Sequence, residues 1–278
     1  MDMATRQTQG HAHPLTQVMS ADGTLIAFEQ MGYGKPLIVV GGATCDAARM
    51  RPTAEYLARD LAVINYDRRG RGDSTDTLPY AVEREVEDIA ALISRAGGRA
   101  SVYGHSSGAA LALHAAAHGL PIDRLILHEP PYSPDLEEHR REAREYGEQL
   151  GTLLAEGRRG DAIELFFTLV GMPPEMVGEM RLGPGWPAHE ALAPTLAYDS
   201  AVMGDVSRGG TVPSDVAGRV TAPTLVLVGG ASPEWMIDVG REVAETARNG
   251  ELRVLEGQEH VVPPELLAPV VTEFLARR

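Results

Sequence analysis

Apolar positions along this chain change their spacing twice. Thr16 to Met19 and Thr24 to Met31 alternate apolar and polar residues on either side of Ala21-Asp22-Gly23, which predicts an antiparallel hairpin with its glycine in the turn. The alternation then gives way to runs too densely apolar to have a wet face: Leu37 to Val40, Ala62 to Tyr66, Ala100 to Tyr103, Arg124 to His128, Thr224 to Val228 and Leu252 to Leu255. Such runs predict parallel strands covered on both sides. Between them apolar residues recur at helical spacing over about Ala47 to Asp60, Val82 to Ala96, Ser106 to His118, Trp235 to Arg248 and Pro264 to Arg277. Strand and helix in alternation predict an α/β fold with a mostly parallel, doubly wound sheet, whose ligands gather at the carboxyl ends of the strands.

One interval interrupts the alternation. From Tyr132 to about Arg219 there are helical patterns, such as Leu136 to Glu156 and Asp161 to Val170, and no strand-like run between them. The Gly-Pro-rich stretch Leu182 to Pro187 reads as a turn between helices. The expected organisation is a core of residues 15–131 and 220–278, a helical cap inserted at 132–219, and a disordered or loosely attached polar tail at 1–14.

Composition narrows the partners. A net charge of −14 over 278 residues opposes binding to nucleic acid or to an anionic membrane surface, and the cluster Arg68-Arg69-Gly70-Arg71 is too short to reverse it. No apolar stretch is long enough to span a bilayer, and the polar amino-terminal segment does not resemble a secretion signal. The single cysteine, Cys45, allows no internal disulfide and fits a reducing compartment, so the expectation is a cytoplasmic protein. No cofactor and no metal are expected: ligand-spaced His, Cys and carboxylate clusters are lacking, as is a Gly-rich phosphate loop ending in Lys-Ser/Thr. A homodimer stays open.

The chemistry concentrates at Gly104-His105-Ser106-Ser107-Gly108, set between a strand-like and a helix-like run. This is the pattern of a nucleophile elbow, in which a strand turns abruptly into a helix and a strained central serine is lifted clear of the sheet. Ser106 is central; Ser107 supplies a backbone N–H. Glycines suit positions 104 and 108 because strand and helix backbones pass closely there.

Four features in order, Gly41-Gly42-Ala43, the stretch Tyr66 to Ser74, the Ser106 elbow and Gly257-Gln258-Glu259-His260, resemble the α/β-hydrolase fold family over nearly the whole chain, in its serine-nucleophile branch with a helical cap. The resemblance implies His260, after the last strand, as the base that takes the serine proton. It also implies the backbone N–H groups of Ala43 and Ser107 as oxyanion donors. Relatives commonly place an aspartate after the strand ending at Val228, but Ser232 stands there, and a neutral hydroxyl cannot stabilise an imidazolium. Some relatives, haloalkane dehalogenases among them, carry the acid after the strand that follows the elbow helix. That position is Glu129; Glu234 and Asp238 are the alternatives, and a purely structural Glu129 is another. Asp67 and the following arginines read as structural, and Asp199 as a helix-turn residue.

Gly42, His105, Tyr132, Phe167, Met172, Trp186 and Tyr198 are candidate substrate contacts, and the apolar cap residues among them favour a small apolar organic substrate. The expected activity is a serine hydrolase acting on an ester, thioester or lactone through an acyl-enzyme on Ser106. A non-hydrolytic lyase or cyclase, and a catalytically silent ligand-binding protein, are the alternatives on the same scaffold.

Overall fold

The structure is a computed structural model and describes residues 15–277; the expected tail at 1–14 lies outside them. The alternating segments form β1 (Thr16–Met19) and β2 (Leu25–Met31), paired antiparallel across Gly23, whose φ of 88° suits only glycine comfortably. Next come β3 (Pro36–Val40), α1 (Ala47–Leu57), β4 (Ala62–Tyr66), α2 (Val82–Arg95), β5 (Ala100–His105), α3 (Ser107–Ala117) and β6 (Ile122–His128). A strand-free insert follows, with helices α4 (Glu137–Ala155), α5 (Arg159–Leu169), α6 (Pro174–Leu182), α7 (Trp186–Leu192), α8 (Leu196–Met203), α9 (Asp205–Arg208) and α10 (Ser214–Ala217). Alternation resumes with β7 (Thr224–Gly229), α11 (Glu234–Thr246), β8 (Gly250–Leu255) and α12 (Pro264–Ala276).

These strands build one eight-stranded sheet in the order β1-β2-β4-β3-β5-β6-β7-β8. Pairing is antiparallel where β2 meets β1 and β4, and parallel from β4 to β8. Neighbouring residues of one strand face opposite sides, so Ile38 and Val40 enter one apolar cluster while Leu37 and Val39 enter the other. Both faces are therefore dry, which is why the parallel strands read as unbroken apolar runs. Each side chain so buried contributes about 1.5–3 kcal/mol.

Several boundaries shift by a few residues from the sequence expectation, and two of them for a clear local reason. Helix α1 stops at Leu57 because Ala58 to Leu61 close into a turn that feeds β4. Helix α3 starts at Ser107, not Ser106, because Ser106 has φ 57°, outside helical space. The insert is closed at its base, where Ser133 bridges Thr211 and its amide donates to the Gly210 carbonyl at 2.8 Å.

Close backbone approach is sharpest beneath the elbow. A Cβ on Gly108 would press into the Val40 and Gly41 carbonyls, and one on Gly104 into the backbone of Gly108 and Ala109. Gly108→Ala is expected to destabilise the protein by more than about 2 kcal/mol, lowering Tm by several degrees. Gly151, on α4 with open space where a Cβ would go, gives the control: Gly151→Ala should be neutral or stabilising by about 0.5–1 kcal/mol. Calorimetric Tm values for the two variants check both signs.

Candidate active site

Strand β5 ends and α3 begins within two residues, and Ser106 takes up the turn at φ 57° and ψ −127°. A non-glycine residue in that region is strained, and it persists only where its surroundings hold it. Here the Ser106 amide donates to the His128 carbonyl at the end of β6 at 2.9 Å, and Gly104 and Gly108 let helix and strand close behind it. Gly42 faces the serine: a Cβ there would lie 2.8 Å from the Ser106 Cβ and 2.9 Å from the His105 carbonyl oxygen. Ser106 itself is half-buried, and its neighbour Ser107 is buried at the amino terminus of α3.

Glu129 follows β6 and is wholly buried, with φ 48°. Its carboxylate meets three donors. Oε1 accepts from the Gly229 amide at 2.6 Å and the Ser232 hydroxyl at 2.6 Å, while Oε2 bonds His260 Nδ1 at 2.5 Å. Burial alone would raise its pKa, but the bonds from His260, Ser232 and the Gly229 amide outweigh it and hold the group below the ordinary glutamate range. Glu234 lies exposed in the first turn of α11 and Asp238 pairs with Arg241, so neither bonds His260. Ser232, at the position where relatives place the acid, instead donates to the acid that arrives from β6.

His260 lies in the loop between β8 and α12, with its side chain 40% exposed. The residue before the serine helps to seat it: His105 Nε2 bonds the His260 backbone carbonyl at 3.0 Å, and the two rings lie 4.7 Å apart. His105 in turn contacts His128, whose Nδ1 bonds the Tyr103 hydroxyl at 2.7 Å. Burial, and to a lesser degree the nearby His260, pulls His105 down to about 4, so it is neutral near pH 7.

The Gly41 to Cys45 loop, which carries Ala43, is gripped from below. Arg71 Nη1 donates to the Gly42 carbonyl at 2.6 Å and the Cys45 carbonyl at 3.2 Å. Arg68 pairs with Glu85 and Asp199 at 2.7 Å each, and Arg69 with Asp22 and Asp88. The structural reading of these arginines matches their geometry. Asp199 lies in the first turn of α8, as its helix-turn reading expects, and is in addition a buried partner of Arg68, Arg71 and the Ser107 hydroxyl.

The remaining candidate contacts fall into two groups. Phe167 and Trp186 belong to the insert's own apolar cluster, against which Met172 and the loop residue Ala43 pack. This is where the insert meets the neighbourhood of Ser106. Tyr198 points elsewhere, its ring stacked on Tyr80 at 3.9 Å and its hydroxyl donating to Asp76 at 2.5 Å, so its polar end is already satisfied. Tyr132 is fully enclosed in the core cluster, with no partner for its hydroxyl among the described residues. A cavity of about 510 Å³ in the insert is lined by Arg158, Arg159, Arg181 and Glu190 among others, and by none of Ser106, His260 and Glu129. Among the described residues no group of three or more His, Cys, Asp or Glu is placed to hold a metal, and no helix is long and apolar enough to cross a membrane.

Residues 37–270 match the model of the alpha/beta hydrolase family. In structure the chain is similar to an alpha/beta hydrolase from Sphaerobacter thermophilus, 50% identical with a TM-score of 0.83, covering 94% of this chain and 100% of that one. Among curated relatives, N-formylmaleamate deformylase of Pseudomonas putida is 38% identical over 106 residues, 37% of this chain and 40% of the deformylase. The (E)-2-((N-methylformamido)methylene)succinate hydrolase of Acinetobacter baylyi is 25% identical over 257 residues, 91% of this chain and 93% of that protein.

The ionised, bonded Glu129 makes stability depend on pH. Its pKa is depressed on folding, so its contribution is complete above the ordinary value of 4.5 and is lost as pH falls through the folded value. Glu129→Gln carries no such charge. The stability difference between wild type and this variant, from urea unfolding, should be largest near pH 7 and shrink towards pH 3; a constant difference would contradict the assignment.

Proposed function

We propose, because this chain belongs to the alpha/beta hydrolase family, that it is a serine hydrolase cleaving an ester, thioester or lactone of a small, largely apolar substrate. The observation that carries this reading is the His260 to Glu129 bond beside the strained Ser106 elbow. A serine hydroxyl is a weak nucleophile near pH 7 and needs a base in reach. With Nδ1 committed to Glu129, Nε2 of His260 is the nitrogen left to take the Ser106 proton. No hydrogen bond joins Ser106 Oγ to His260 among the described residues, and such contacts tighten when substrate binds.

Ser106 Oγ attacks the acyl carbon as Nε2 takes its proton, and the carbonyl oxygen becomes an oxyanion received by the Ala43 and Ser107 amides. The imidazolium formed is stabilised by Glu129 and returns the proton to the leaving alcohol or thiol. Water then attacks the acyl-enzyme, again giving its proton to Nε2, and the acid leaves as Ser106 regains its hydrogen. Each amide donor is worth about 3–4 kcal/mol in the transition state, and the amino terminus of α3 adds its positive end to the same point. Phe167, Met172 and Trp186 supply the apolar wall. The single free Cys45 supports a reducing, cytoplasmic setting.

A second reading is hydrolysis of an N-formyl or similar small N-acyl group, supported by the names of the two curated relatives. It uses the same residues, with an amine as the group that His260 must protonate. The lyase or cyclase and the silent-binding alternatives gain no comparable support.

Fluorophosphonate labelling tests the nucleophile: wild type should be modified and Ser106→Ala should not, with turnover of activated esters lost in the same variant. Labelling that survives Ser106→Ala would overturn the assignment. For the acid, Glu129→Gln should lower kcat by about 10²–10⁴-fold with KM little changed, whereas Glu234→Gln should stay within about twofold. Equal, mild effects would remove Glu129 from the mechanism.

A further inference from the structure

Asp199 is the one charged residue of α8, Leu-Ala-Tyr-Asp-Ser-Ala-Val-Met, and it is buried at the seam between insert and core. Its Oδ1 accepts from Arg68 Nη1 at 2.7 Å, Arg71 Nη2 at 2.9 Å and Ser107 Oγ at 2.7 Å; its Oδ2 accepts from Arg71 Nη2 at 2.8 Å. Glu85 neutralises Arg68 from the other side. Among the described residues Asp199 is the one carboxylate within ion-pair distance of Arg71.

What Arg71 does with its other nitrogen matters for the site. It binds the Gly42 and Cys45 carbonyls, on either side of Thr44, whose φ of 54° is strained and must be held by its surroundings. The Gly42 carbonyl and the Ala43 amide belong to one peptide unit, which is planar and trans. Fixing its oxygen end therefore fixes the direction of its N–H end. Ser107, whose amide is the other oxyanion donor, is held by its hydroxyl to the same carboxylate.

We propose that Asp199 is a positioning residue that aims both oxyanion donors from the insert, through Arg71 and the Ala43 peptide on one side and through Ser107 on the other. Docking of α8 onto the core is then a condition of turnover and not only a roof for the pocket. This rests on the serine-hydrolase reading given above. The alternative is a neutral knot that holds the insert in place without affecting the amides.

The test uses the full chain, p-nitrophenyl acetate as substrate and phenylboronic acid as a tetrahedral mimic of the transition state. Asp199→Asn and Arg71→Lys should each lower kcat by about 10–100-fold, and Ser107→Ala by about 3–10-fold, with KM within about threefold. Phenylboronic acid Ki should rise by the same factor that kcat falls, while inhibition by acetate, the ground-state product, stays unchanged. Folded variants with kcat and boronate Ki within about twofold of wild type would overturn the proposal. So would a kcat loss with an unchanged boronate Ki. If Asp199→Asn does not fold, Arg71→Lys and Ser107→Ala decide by the same criteria. Wild-type protein that neither turns over ester nor reacts with fluorophosphonate at Ser106 would sink the hydrolase reading and this inference together; loss of the parallel alone sinks only the inference.

Discussion

A carboxylate taken fully out of water at the end of a central strand must find donors or lose its charge. Glu129 finds three: the backbone amide ending β7, the Ser232 hydroxyl beyond it, and the imidazole of His260 from the loop after β8. That requirement ties three separate segments together at the carboxyl edge of the sheet, next to the elbow that follows β5. The rest of the site depends on it. Without Glu129, His260 loses the partner that orients its ring.

A second set of buried charges holds the Gly41 to Cys45 loop and Ser107, the residue after Ser106. Arg68 and Arg71 are buried beneath the Gly41 to Cys45 loop, and neither is tolerable there without a counter-charge. Glu85 comes from α2 and Asp199 from α8, so core and insert each contribute one. The structure therefore holds two buried polar clusters of different kinds, which in the proposed mechanism both serve Ser106. One holds the proton-transfer groups; the other holds the loop and helix start whose amides face the reacting oxygen in the proposed mechanism. Three non-glycine residues with positive φ, Thr44, Ser106 and Glu129, lie at this edge, as expected where surrounding contacts hold strained backbone for function.

Much of this was legible in the sequence because it is local or periodic. The parallel strands follow from dense apolar runs, the helices from their spacing, and Ser106 from a motif whose glycines answer to backbone contacts at 104 and 108. His260 and Glu129 could be named from the order of motifs along the chain. Ser232 was legible only as a missing acid. Its bond to Glu129 joins residues 103 positions apart, and no periodicity encodes such a pairing. The helix turn at Asp199 is local and legible, but its pairing with Arg68, 131 positions away, is not. One signal did exist: a lone acid in an otherwise apolar helix, in a chain with three arginines clustered near a turn. The bond from the Tyr198 hydroxyl to Asp76, 122 positions away, is equally invisible in the sequence.

In the proposed mechanism Ser106, His260 and Glu129 act together on an acyl group whose oxygen is received by the Ala43 and Ser107 amides. A crystal structure of the protein after reaction with a small fluorophosphonate tests all of it at once. The expected result is phosphorus bonded to Ser106 Oγ, one phosphonyl oxygen about 2.7–3.1 Å from both amide nitrogens, and His260 still bonded through Nδ1 to Glu129. Phosphorus on another residue, or a phosphonyl oxygen turned away from Ala43 and Ser107 towards solvent, would contradict it.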